Sequence, residues 1–461
     1  MEQQERSALL GTMPMGKLVV KISVPIMISM MVQALYNVVD GIFVARYSAD
    51  ALTAVSLAFP IQMLMIAAST GLGVGINSLI SRRLGARRSE EARDAARNGI
   101  FMQLCAYLLF LLFGLFGAKA IFKFLTPEAT LQQLGSQYLS IVCTFSFGLF
   151  MSISFERIMQ STGNTTLSML TQMTGAVINI ILDPIMIFGL LGFPAMGIAG
   201  AAIATVVGQI TGMCLGLFLN QTRNKELYIS FKGFRPNGKI MRNIFAVGFP
   251  SIIMQSVSSV MNVTMNLILM AYGATAVSVL GVYIKLQSFV FMPTLGLSNG
   301  LVAIIGYNYG AKLRGRIYKA IKVAMKFALG IMGFGMLAFL LVPRTLLSLF
   351  EANGVSELTL MGEVALRTIC FSFPMAAIGI IISTVFQAVG RGFYSLTMSA
   401  CRQLVVLLPC AWLLSRLGGL TAIWWAFAIA EVVCLALGLV LYRIVDKQLF
   451  KPMVDASAKR V

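Results

Sequence analysis

Apolar runs of about twenty residues recur from one end of this chain to the other. A run of that length crosses the hydrocarbon core of a bilayer as a helix, because in lipid each backbone N–H and C=O must be satisfied within the segment itself. Of the 461 residues, 58% are hydrophobic and 11% are charged, with a mean hydropathy of +0.85. A soluble chain is about 25% charged. The expected fold is all-α and integral to the membrane, with twelve spans at about 17–44, 52–80, 94–118, 134–157, 163–188, 195–220, 242–271, 276–305, 318–342, 359–386, 394–416 and 421–444. The polar start, MEQQERSALLGTMPMGK, lacks the order of a cleaved signal, so the first helix is expected to be retained.

The net charge of +19 speaks to topology rather than to nucleic acid. One set of loops carries SRRLGARRSEEARDAAR, Arg157, QTRNKELYISFKGFRPNGKIMR, AKLRGRIYK with Lys322, Arg391, Arg402 and the tail from Arg443. The other set carries only Arg46, Lys119, Lys123, Arg344 and Arg416. That imbalance places both termini in the cytoplasm and agrees with an even number of spans. The long basic connection at 221–243 then joins an N-terminal lobe, 1–220, to a C-terminal lobe, 244–461. The seven cysteines all lie in apolar spans and read as small buried hydrophobes. With no histidine, His-based relays, triads and metal sites are excluded. No GxxxxGK[ST] loop is present to bind ATP. No cofactor is expected beyond a coupling ion.

The two lobes repeat. Shifted by 225 residues, Pro25 meets Pro250, Gln62 meets Gln287, and GLGVGINSLISRRLGAR from Gly71 overlays GLSNGLVAIIGYNYGAK from Gly296. At a shift of 227, Gln160 and Gly163 meet Gln387 and Gly390. Chance apolar similarity does not keep Pro, Gln and Gly in register. Six helices per half give both halves the same orientation, hence a parallel repeat about an axis along the membrane normal and an alternating-access transporter.

Charges inside such spans are costly and call for a function or a partner. Gln33, Asn37 and Asp40 form one stripe on the first helix, with Tyr36 beside them. Gln172, Asn179 and Asp183 form another on the fifth. Both acids fall at similar depth near the outer ends of their helices. Pro184 frees the carbonyl of Ile180 and Pro25 frees that of Lys21, which also makes Pro25 a hinge candidate. Two carboxylates, an amide and a carbonyl make a hard oxygen site suited to H⁺ or Na⁺. Were the ion Na⁺, its ligands would come from Asp40, Asn179 and Asp183. The repeat has Met265 in place of Asp40 and Leu408 or Cys410 in place of Asp183. The scaffold is duplicated but the acids are not, which favours coupling over packing. Lys285 and Glu431, at matching depth in the second lobe, are read as an ion pair, with a second coupling or substrate site as the other reading. Lys326 and Arg367 are placed toward the cytoplasmic ends, where they can snorkel, with Glu363 four residues before Arg367.

The segments VPIMISMMVQALYNVVDGIFV, AVSLAFPIQML, GLGVGINSLISRRLG and KLQSFVFMPTLGLSNG resemble the MATE (multidrug and toxic compound extrusion) family, in particular its bacterial MepA-like branch. The resemblance runs from about residue 15 to 450. It implies a multi-pass protein of the bacterial plasma membrane, expected to act as a monomer, that expels cationic amphiphilic drugs or dyes in exchange for H⁺ or Na⁺. It carries a cation site in the first lobe onto Asp40, Asn179 and Asp183. A Thr or Ser on the sixth helix often contributes in that family, and Thr205 is the candidate here. It also assigns the bend of the first helix to Pro25. A lipid-linked precursor flippase of the same superfamily is the alternative; its usual basic cavity contrasts with the acids on helices one and five.

Overall fold

The computed structural model describes residues 5–350 and 357–454. Among them, eleven single helices are long and apolar enough to cross a membrane, and one bent pair supplies a twelfth. They are α1 (Met15–Tyr47), α2 (Ala49–Gly85), α3 (Ser89–Leu125), α4 (Ala129–Thr144 and Phe147–Ser161), α5 (Thr165–Phe188), α6 (Gly197–Arg223), α7 (Gly238–Met270), α8 (Ala274–Gly310), α9 (Arg314–Leu341), α10 (Glu357–Ala388), α11 (Gly392–Ile423) and α12 (Trp425–Phe450). Each expected span is present and most run several residues longer. The fourth departs from a straight rod, bending by 43° between its segments. At the break, the Ser146 hydroxyl and its backbone N–H both donate to the Cys143 carbonyl, at 2.8 and 3.3 Å, so the side chain competes with the helical ladder.

Two apolar clusters organise the packing. One is built from residues between Val44 and Ile244. The other runs from Met265 to Phe450 but also takes in Leu10, Met15, Leu18, Val19 and Ile22. The first turns of α1 therefore pack into the core of the second half, while the rest of the helix goes on to pack along α5. Pro25 follows the last of those residues.

Helix α2 crosses α7, and α8 crosses α1, backbone against backbone. A Cβ on Gly75 would lie 2.3 Å from the Ile244 carbonyl oxygen, and one on Gly71 would lie 2.9 Å from the Ile252 nitrogen. In the mirrored contact, a Cβ on Gly296 would lie 2.8 Å from the Met27 nitrogen. Residues 27 and 252 are themselves 225 apart. Farther along, Gly85 abuts the Tyr307 carbonyl and Gly310 abuts that of Arg82, again positions 225 apart. The contact is thus made twice about a pseudo-two-fold axis. Both helix ends close with the same turn, Arg87 and Lys312 taking left-handed φ of 59° and 58°. One pair breaks the symmetry: the Gln255 amide donates to the Thr70 hydroxyl at 2.9 Å, whereas the mirror positions are Met30 and Leu295.

Among the described residues, the hydrogen bonds and close approaches between the halves lie at the end that carries the termini. There Asn308 and Arg316 donate to the Leu10 carbonyl, and Arg316 donates to that of Met13 as well. Toward the other end, Leu35, Val38 and Ile42 of α1 and Val260, Val263 and Leu267 of α7 are exposed. The halves are thus fastened at the end that carries the termini.

Several charges lie elsewhere than expected. Glu431 does not pair with Lys285; it accepts from Arg402 at 2.8 Å. The Lys285 ammonium lies 5.8 Å from the centroid of the Phe350 ring. The reason is azimuthal: Tyr283 of α8 is the residue beside Glu431 and Arg402, and side chains two positions apart on a helix point away from each other. Arg402 is not a loop residue but sits within α11, in a π-helical stretch, Cys401–Leu407. Arg157 likewise lies within α4 and is only 8% exposed. Glu363 binds Arg344 at 2.7 Å and Arg367 at 3.0 Å. Because Arg344 belongs to the sparsely charged side, Glu363 and Arg367 sit at the end away from the termini, not at the cytoplasmic end expected for them. Lys326 is exposed on α9. Cys143, Cys370 and Cys434 are buried, but Cys105 and Cys214 are exposed, so the expectation of uniform cysteine burial fails.

Two outcomes test this packing. Gly75→Leu forces a side chain into the Ile244 carbonyl, where overpacking typically costs 1–3 kcal/mol, and is expected to lower the melting temperature of the purified protein. Gly281→Ala, with nothing within 4 Å of the new Cβ, leaves it unchanged. Arg402→Met leaves Glu431 uncompensated and should destabilise by about 3–5 kcal/mol, whereas Lys285→Met should have a much smaller effect in the same thermal assay.

Candidate functional site

Helices α1 and α5 pack side by side. At the half of α1 remote from the termini, Asp40 and Asp183 come close enough to interact with each other. Asp183 is fully buried, and Asn179 and Thr205 are 3% and 9% exposed. The Asn179 amide donates to Asp183 Oδ1 at 3.3 Å and lies 3.4 Å from the Thr205 hydroxyl, which itself donates to the Ala201 carbonyl at 3.0 Å. Three acceptors in this cluster, Asp40 Oδ1, Asp183 Oδ2 and Asn179 Oδ1, are buried and receive no hydrogen bond. Unsatisfied carboxyl and amide oxygens with a hydroxyl beside them are chemistry for a proton or a small hard cation. Among the described residues, no group of three or more His, Cys, Asp or Glu is placed to hold a metal ion, which sets this cluster apart from a multivalent metal centre.

What positions these groups is glycine. Gly208, Gly212 and Gly216 recur every fourth residue on α6, a spacing that lets helices approach closely in a membrane. A Cβ on Gly208 would lie 2.6 Å from the Gly175 carbonyl and 3.1 Å from the Asn179 Cβ, so any larger residue would push Asn179 away from α6.

The supporting residues divide. The Gln172 amide donates to Gln33 Oε1 at 2.9 Å, tying α5 to α1 below the acids. Tyr36 lies close enough to interact electrostatically with both carboxyls. The side chain of Asn37 lies outside the described residues. Pro25 and Pro184 are both inside continuous helices. The carbonyl that Pro25 frees, that of Lys21, faces the buried Thr165 hydroxyl at 3.5 Å, so the first turn of α5 touches α1 at its weak point.

Tyr138 and Gln62 were not anticipated at this site. Tyr138 of α4 is buried and lies near Asp40, Asp183 and Tyr36, and its hydroxyl accepts from the Gln62 amide at 2.9 Å. Gln62 carried a signal, since the repeat preserves it as Gln287; Tyr138 carried none. Lys285 and Glu431 lie in the other half and contribute nothing to the cluster.

Comparison with known proteins bears on the arrangement. The MatE family profile matches twice, at residues 25–185 and 250–413, segments that begin 225 residues apart, the same offset as the repeat. The Multidrug export protein MepA of Staphylococcus saprophyticus is 27% identical over 92% of this chain and 93% of its own. A MOP superfamily transporter from Pyrococcus furiosus has the same fold, with TM-score 0.91 at 27% identity over 97% of this chain and 99% of that one. A multidrug resistance MATE family transporter in an outward-facing conformation superposes with TM-score 0.90 at 28% identity over the same shares. The duplicated six-helix scaffold and the family profile in each half agree: this chain belongs to the MatE family and is a membrane transporter, not an enzyme.

Proposed function

We propose that the protein exports cationic amphiphilic compounds in exchange for H⁺ or Na⁺, with Asp40 and Asp183 as the site where the inward-moving cation is held. The observation that carries this reading is the carboxyl pair with buried, unsatisfied oxygens, built into one half of a duplicated scaffold and absent from the other. Groups needed only to hold the fold together would have been duplicated with it. Asn179 and Thr205 then serve as neutral oxygen and amide partners. If the ion is Na⁺, Asp40, Asn179 and Asp183 supply its ligands.

Alternating access follows from the two-lobed build. With the termini in the cytoplasm, as the loop charges indicate, the fastened end faces inward. The fastened contacts are glycine crossings, able to part and re-form as rigid surfaces. Helix α1 belongs to both cores, and Pro25 lies where it passes from one to the other, so a change at Asp40 is transmitted along a helix already anchored in the opposite lobe. The export of drugs named for the staphylococcal relatives supports drug-like substrates here. The acidic lining of the first lobe suits cations better than the lipid-linked anions of a flippase.

The test is efflux of a cationic dye from proteoliposomes under separately imposed H⁺ and Na⁺ gradients. Asp40→Asn and Asp183→Asn are each expected to reduce gradient-driven efflux by at least about tenfold, equivalent to about 1.4 kcal/mol. Full efflux by both variants would remove the coupling assignment, and flipping of a lipid-linked sugar without dye transport would replace the substrate class.

A further inference from the structure

The first lobe holds another buried carboxyl that the coupling site does not use. Glu156, on the second segment of α4, is 8% exposed. Ser152, one turn earlier, donates to its Oε1 at 3.3 Å. The charged group beside it, Arg157, turns its guanidinium to Gln160 Oε1 at 3.0 Å and packs against Gly73 of α2. Among the described residues, no ion pair within 4.0 Å engages Glu156. A carboxyl so placed inside a membrane lobe, hydrogen-bonded only by a serine, calls for a functional account.

Its position supplies one. Helices α4 and α6 run in the same direction: Gly148 meets Ile210, Ser152 meets Gly212 and Phe155 meets Gly216. Helix α5 runs against them, with Asn179 beside Gly208 and Thr171 beside Gly212 and Gly216. Glu156 therefore lies on the order of 20 Å from Asp183 along the helix axes, at 1.5 Å per residue. It is close to the turn at 162–164, where Gly163 faces Leu10 and Ile22. Between the two carboxyls, the seam of α4, α5 and α6 holds Thr205, Gln209 and Ser152. Gln209 Oε1, like Asn179 Oδ1, is buried and receives no hydrogen bond. Of the elements packed on this segment, α2 and α6 meet it with Gly73, Gly212 and Gly216; the groups that act on the Glu156 charge are Arg157 and Ser152 of α4 itself.

We propose that Glu156 is the carboxyl through which the coupling proton leaves the first lobe toward the face that carries the termini. This rests on the reading of Asp40 and Asp183 as the coupling site. The proton breaks its bond to a carboxyl oxygen of that pair and passes through water admitted along the polar seam. It is bound by a Glu156 carboxylate oxygen and is then released to bulk water at the termini. One proton moves and no other bond changes.

The full-length protein in proteoliposomes tests this with ethidium as the probe. Efflux driven by an imposed pH gradient requires net proton passage, whereas ethidium–ethidium counterflow at equal pH does not. Glu156→Gln, which keeps the size and an acceptor for Ser152, is expected to lower gradient-driven efflux at least tenfold and to leave counterflow within twofold. Glu156→Asp should recover part of the driven rate with a displaced pH profile. Unchanged driven efflux in Glu156→Gln overturns the proposal, as does an equal loss of counterflow, which would mark a packing role. Efflux by the parent under a Na⁺ gradient alone overturns it too. Asp40→Asn and Asp183→Asn, run alongside, separate the two readings: if they retain driven efflux the coupling site is wrong, and if only Glu156→Gln retains it, the relay alone is wrong.

Discussion

The contact on which this molecule turns is a helix backbone laid directly on another helix backbone. At Gly75 and Gly310 there is no room for even a methyl group before a carbonyl oxygen of the opposite half is reached. Without a hydrophobic driving force between helices in lipid, such close dispersion contact is what holds two lobes together. It is also selective in space. The crossings occupy one half of α2 and α8, so the lobes are fastened at one end, and the polar interior of the first lobe lies beyond the fastening.

Helix α1 makes that geometry consequential. It enters through the apolar core of the second half, passes Pro25, and delivers Asp40 to the interior of the first. Few helices in the molecule are shared in this way. Any force at the acid pair acts on a lever whose far end is embedded in the other lobe, while the freed Lys21 carbonyl faces α5 through Thr165. Binding at one place and relative motion of the lobes are thus carried on a single element. The Gly175–Gly208 contact keeps the stationary partners, Asn179 and Thr205, in place beside it.

Much of this was legible in the residues because the relevant signals are one-dimensional. Span lengths follow from runs of apolar residues, and the repeat from matched Pro, Gln and Gly. The convergence of α1 and α5 on one acidic cluster follows from helical stripes at equal depth. What failed was information about azimuth and reach. Lys285 and Glu431 share a depth, but the side of α8 that faces Glu431 bears Tyr283, and a π-helical stretch holds Arg402 against Glu431 instead. Tyr138 is one aromatic among many in apolar spans, and only three-dimensional packing singles it out. The break in α4 hinges on one serine hydroxyl, a local competition that hydropathy cannot register.

The tie between Gln255 and Thr70 on the seam also has a mechanical reading. Gln255 holds Thr70 on one flank, while on the mirror flank the Asn299 amide donates to the thioether of Met30 at 3.8 Å. A hydrogen bond between amide and hydroxyl fails abruptly with distance and angle, whereas a flexible thioether accepts weakly and repacks. The two flanks of the seam are therefore unequally held. A separation of the lobes that starts at the softer, methionine flank would give the passage through a nominally symmetric protein a leading edge.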